Sequence, residues 1–126
     1  MSGRVVHFEV PFDDGDRARS LYEDVFGWQL QEMPGMDYTM VTSGPSDDQG
    51  PTESGFINGG MMARQGGPAS APVIVVDVDS IDDTLEKIGG LGGSTVAAKM
   101  PVGTMGFAAY FTDPEGNVIG LWETAG

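Results

Sequence analysis

The sequence predicts an α+β fold built from one βαβββ module written twice. Two observations carry this. Residues 4–28 and 72–93 each read as a strand, an acidic helix start, an amphipathic helix and a glycine-rich exit. Shifted by 66 residues, His7 falls on Val73, Ala18 on Thr84 and Gly27 on Gly93. Each helix is then followed by three more strand-like segments separated by turn residues. A duplicated module implies a pseudo-symmetric shell whose interior can hold a site. At 126 residues the chain is a single domain, with module one over 1–65, a linker over 66–70 and module two over 71–126.

From Arg4 to Val10 the residues alternate, with Val6, Phe8 and Val10 on one side and His7 and Glu9 on the other, as in a half-buried strand. Pro11 to Asp16 ends it and supplies N-cap carboxylates. Ala18, Leu21, Tyr22, Val25 and Phe26 recur at helical spacing from about Arg17, and Gly27 closes the helix. Trp28–Met33 and Tyr38–Thr42 read as strands around a Pro34-Gly35 turn. Ser43–Ser54 reads as an exposed loop, and Gly55–Met62 as a glycine-interrupted strand. In the second half Val73–Val76 is apolar on both faces, as in a strand covered on both sides. Ile81, Leu85 and Ile88 mark the second helix. Thr95–Val102, Phe107–Thr112 and Val118–Glu123 follow as strands, with Asp113-Pro-Glu-Gly-Asn117 as a turn.

Nineteen acidic against six basic residues leave a net charge of −13. No basic patch is available to neutralise phosphates, so nucleic acid and anionic membranes are excluded as partners. No apolar run is long enough to span a membrane, and Met1-Ser-Gly-Arg leads straight into a strand without a signal-like segment. A cytoplasmic protein is expected. With no Cys, disulfides, thiolate ligands and a Cys nucleophile are excluded. Asp outnumbers Glu and only two lysines occur, a balance found in proteins of salt-loving organisms.

With that order in hand, the chain resembles the vicinal oxygen chelate superfamily of glyoxalase I, bleomycin-resistance proteins and extradiol dioxygenases. The matching text is Val6-His-Phe-Glu-Val-Pro-Phe-Asp-Asp14, Leu21-Tyr-Glu-Asp-Val-Phe-Gly-Trp28 and Tyr110-Phe-Thr-Asp-Pro-Glu-Gly-Asn-Val-Ile-Gly-Leu-Trp-Glu123. The resemblance implies two tandem βαβββ modules forming curled mixed sheets around a cleft, with helices on the outer face, and a homodimer. Metal-using members take one ligand from the first and one from the last strand of each module. Carried over, those positions are His7 and Val73, then Glu123 opposite Met62, so His7 and Glu123 keep a ligand type. The resemblance thus implies a divalent ion (Zn, Ni, Mn or Fe) on His7 and Glu123.

A divalent site usually needs three protein ligands, and His7, Glu9 and Glu123 form such a set only if Glu9 reaches the same point. One His per chain disfavours iron dioxygenase chemistry, which needs two. His7 is a metal ligand or a hydrogen-bonded cleft histidine. Glu123 and Glu9 are the candidate catalytic carboxylates, against solvated carboxylates as the alternative. Trp28, Tyr38, Phe107, Tyr110 and Trp122 are candidate substrate-binding walls or core packing. Met61 and Met62 floor an adaptable apolar pocket or fill gaps in the packing. Arg64 clamps an anionic substrate or makes a linker salt bridge. The helix-start aspartates are explained by capping.

Two functions follow. One is a glyoxalase-like lyase or isomerase, metal-dependent, acting on a small oxygen-bearing substrate. The other is a metal-free protein that binds and sequesters a small drug or metabolite, as bleomycin-resistance proteins do. Self-repulsion of the acidic surface is screened by salt. Melting temperature, followed by circular dichroism, should therefore rise between low and molar salt. A flat response removes the salt-adapted reading.

Overall fold

The computed structural model describes residues 3–126. The chain forms two compact units: His7–Pro72, and the described residues up to Val6 together with Val73–Gly126.

The first unit holds β1 (Val5–Phe12) from His7 onward, α1 (Gly15–Phe26), β2 (Gln29–Met33), β3 (Tyr38–Thr42), the short β4 (Ser46–Asp47) and β5 (Gly50–Pro51), and β6 (Asn58–Ala63). Its sheet runs β2-β3-β6-β1. β1 and β6 are parallel, and β6–β3 and β3–β2 are antiparallel. The expected loop over 43–54 instead contains the β4–β5 hairpin, which turns at Asp48 and Gln49 and enters β5 at Gly50, whose φ of 120° an L side chain disfavours.

α1 starts two residues earlier than its apolar spacing predicts, because the Asp14 carboxylate accepts the Arg17 N–H and caps it there. Gly27, at φ 70°, ends it in the left-handed conformation expected of a C-terminal glycine. Strand alternation divides the first unit's sheet. Phe8 packs on Trp28 at 5.5 Å, and Trp28 stacks on Tyr22 of α1 at 5.0 Å. His7 and Glu9 point to the other side.

The second unit repeats the order with β7 (Val73–Asp77), α2 (Ile81–Gly89), β8 (Ser94–Val102), β9 (Gly106–Thr112) and β10 (Val118–Thr124), in a sheet ordered β7-β10-β9-β8. β7–β10 is parallel and the other two pairings are antiparallel. Gly3 N–H donates to Asp77 O, and Asp77 N–H to Arg4 O, so the start of the chain groups with this unit. Ser80 caps α2 by accepting the Asp83 N–H. Ile81, Ala109 and Leu121 form the core, with Leu85, Ile88 and Phe111 packed against them.

β7 departs from the expectation of cover on both faces. Val73 and Val75 are buried, but Ile74 is 47% exposed. The α2 core reaches Val76, two residues further on the same side, and does not include Ile74. No helix among the described residues is long and apolar enough to cross a membrane.

Candidate functional site

β1, β6 and β3 lie side by side, and their register decides what meets. His7 is opposite Asn58, Glu9 opposite Gly60, and Gly60 in turn opposite Met40. Tyr38, one strand further out, reaches across β6 because Gly60 has no side chain. A Cβ at Gly60 would overlap the Tyr38 hydroxyl. The hydroxyl therefore lies between the two β1 side chains. It donates to Glu9 Oε2 at 2.8 Å and is 2.8 Å from His7 Nε2. His7 Nε2 and Glu9 Oε2 are themselves 4.0 Å apart.

A phenol has one proton, and Tyr38 gives it to Glu9. The contact to His7 must then use an Nε2–H of the ring, which leaves Nδ1 as the proton acceptor. Burial holds the His7 pKa below its ordinary 6.5 and outweighs the opposite pull of the Glu9 charge. His7 is neutral at pH 7. Glu9 is a buried carboxylate, 5% exposed, that accepts a hydrogen bond. Met62, opposite Pro11 and Tyr38, lies on this same face of the sheet, as does Met40.

Trp28 is not on that face. Its stack on Tyr22 and its contact with Phe8 place it in the packing beneath α1. Arg64 makes the linker salt bridge, with Nη1 at 2.6 Å from Asp13 Oδ1, and its Nε donates to Ser70 O.

In the second unit, Glu123 faces α2. Its Oε1 accepts the Ile81 N–H at 2.8 Å, and its Oε2 meets Lys99 Nζ at 3.0 Å. The Ile81 amide first, and Lys99 second, hold its pKa below the ordinary carboxylate value. Phe107, opposite Glu123 across the ladder, packs into the α2 core, with Lys99 Nζ 4.4 Å above its ring. The adjacent positions show the opposite face. Tyr110, directly opposite Gly120, lies over it beside Val75, whereas Tyr38 reaches Gly60 diagonally from its place opposite Met62. Trp122 donates from Nε1 to Thr124 Oγ1.

The donor set does not fit a protein-held divalent ion. Such a site takes three ligands, and among the described residues no group of three His, Cys, Asp or Glu side chains is placed to hold one. His7 and Glu9 are joined through Tyr38, and both Glu123 oxygens are occupied by Lys99 and the Ile81 amide. Sequence reasoning took Tyr38 for a wall and overlooked Lys99. The Gly59-Gly60 pair inside a strand was the available signal, since glycine there marks a close approach.

Residues 4–44 match the model of the bleomycin resistance protein-like N-terminal family. A Mycobacterium bovis protein named as a glyoxylase, CFP32, is 27% identical over 87% of the chain, which spans only 41% of that relative's length. A Vibrio parahaemolyticus protein named as a lactoylglutathione lyase is 30% identical over 95% of the chain and 90% of its own. A solved structure of a glyoxalase/bleomycin resistance protein/dioxygenase superfamily member from Vibrio splendidus has the same fold. Its TM-score is 0.62 at 16% identity, with 97% of this chain and 98% of that one covered.

An NMR titration of His7 should give a pKa below 6.5. Glu9→Gln should lower it further, because the Glu9 charge is what pulls it upward. A rise in Glu9→Gln contradicts this account of the site. Because the folded pKa of His7 is depressed, the unfolded chain takes up its proton first as pH drops from 6.5, so stability is lost as pH falls from 6.5 through the lower folded value. Glu123 behaves in the same sense at lower pH: its stabilisation is present above the ordinary carboxylate pKa and is lost as pH drops through the folded one. Urea melts of Glu123→Gln should therefore show a loss of stability at pH 7 that shrinks in acid.

Proposed function

Because the chain belongs to the vicinal oxygen chelate superfamily, which holds glyoxalases and bleomycin-resistance proteins, we propose that it binds a small oxygen-bearing molecule on the His7–Glu9–Tyr38 face without a protein-held divalent ion. The observation that carries this reading is the Tyr38 hydroxyl bridging a neutral His7 and a buried Glu9. His7 Nδ1 accepts a hydrogen bond from a ligand hydroxyl. Met40 and Met62 supply adaptable apolar contact beside it. The closed hydrogen-bond chain fixes the ring, which lowers the entropy lost on binding. Binding and sequestering, in the manner of bleomycin-resistance proteins, is the function these features support best. A homodimer in the cytoplasm belongs to the same reading.

A second reading is favoured by the direction of the same chain. A proton taken from a substrate by His7 Nδ1 is matched by movement of the Nε2 proton to Tyr38 and of the Tyr38 proton to Glu9. The charge then rests on the ligand, and Glu9 is neutral. This is the proton balance of an isomerase or lyase acting on an acidic C–H beside a carbonyl. The Vibrio relative named as a lactoylglutathione lyase supports it.

The test is binding of a panel of small hydroxy-ketones and hemithioacetals, read by isothermal titration calorimetry. Affinity should be unchanged by a chelator, and Tyr38→Phe and His7→Ala should each weaken it about five- to tenfold. Near-stoichiometric manganese, zinc or nickel uptake that is lost in His7→Ala overturns the proposal. Turnover that Glu9→Gln abolishes, with binding retained, selects the second reading.

A further inference from the structure

The first unit holds another concavity, of about 380 Å³, beside the end of β1 and the start of α1. Its lining carries Asp13, Asp14, Arg17 and Arg64 together with apolar side chains that include Val10, Leu21 and Tyr22. Leu21 is 53% exposed, so the groove is open to solvent. The volume falls within the range of small-molecule sites.

The charges are unevenly engaged. Arg64 is held by Asp13 and by Ser70 O. Asp14 uses Oδ1 to cap α1, so the helix end is already satisfied and contributes nothing further. Arg19, two residues on, is tied to Asp16 and Thr39. Among the described residues the Arg17 guanidinium has no such partner, and Arg17 is exposed. Asp13 is bonded through Oδ1, and its side chain is 72% exposed.

Both signs of charge thus line one groove together with apolar side chains. A simple anion entering there meets the field of a chain with net charge −13. A simple cation leaves Arg17 unanswered and approaches Arg64. A dipolar molecule satisfies both ends. We propose that this groove binds an α-amino acid with an apolar side chain: its carboxylate on Arg17, its ammonium on Asp13, and its side chain against Leu21 and Tyr22. The Arg–carboxylate pair can be bidentate, which fixes orientation as well as adding attraction. The groove shares no residue with the His7–Glu9–Tyr38 array.

The experiment is an amide chemical-shift titration of the full chain with L-phenylalanine at moderate ionic strength. Phenethylamine and hydrocinnamate, which keep one charge each, are run alongside. L-Phenylalanine should saturate near about 1 mM and shift amides around Val10, Arg17 and Tyr22 but not those of His7 or Tyr38. Each singly charged analogue, and Arg17→Gln with L-phenylalanine, should bind about fivefold more weakly, as expected for one exposed charge contact. Arg17 is a surface residue, so its replacement leaves folding intact, and His7→Ala should not change the affinity. Absence of saturation by about 20 mM overturns the proposal. So does equal binding of the three compounds, or shifts centred on His7 and Tyr38.

Discussion

Parallel pairing of β1 with β6 sets which residues of the first unit share a face. It puts Glu9 against Gly60 and His7 against Asn58. The missing side chain at Gly60 then lets a tyrosine from the next strand lie across the sheet and place its hydroxyl between two β1 side chains. On the far face, Gly59 does the same for Phe8, whose ring and carbonyl leave no room for a Cβ there. One glycine pair therefore serves the polar array and the aromatic packing on Trp28 and Tyr22 at once.

The second unit uses the same scaffold with the chemistry removed. Tyr110 lies over Gly120 from the position directly opposite it, whereas Tyr38 reaches Gly60 diagonally with its hydroxyl. The β7 residues that correspond to His7 and Glu9 under the 66-residue shift are Val73 and Val75, both buried. A valine pair keeps the pleat and the burial while offering no donor or acceptor. Glu123 sits one residue out of step with Trp122 and so falls on the α2 side, where the Ile81 amide and Lys99 satisfy it. There the carboxylate lies at a helix N-terminus, where negative charge is stabilising.

Six cations in a chain with 19 acidic residues are a scarce resource. Arg19 joins Asp16, Glu32 and Thr39 while covering Phe12, Arg64 joins Asp13, and Lys99 joins Glu123. These contacts hold elements of one unit together, and most of the acidic surface is left to solvent. Among the described residues Arg4, Arg17 and Lys87 stand outside that pattern, and of these three Arg17 is the one that lines the groove at the start of α1.

The element order was legible in the sequence, because period-two and helical spacing, N-cap carboxylates and glycine exits are local signals. The repeat showed that His7 has Val73 as its counterpart in the second half. Contact across strands was not legible. Tyr38 is 31 residues from His7 and 29 from Glu9, and only the strand order β3-β6-β1 brings them within 2.8 Å. The face taken by Glu123 was missed for a related reason. With a side-chain period of two, a one-residue error in alignment moves a group to the other side of the sheet. The same limit applied to Trp28, whose neighbours Phe8 and Tyr22 come from another strand and a helix. By itself the sequence determined the order of strands and helices and named candidate side chains in both halves. Register and strand order, set by long-range pairing, decided which of those side chains meet.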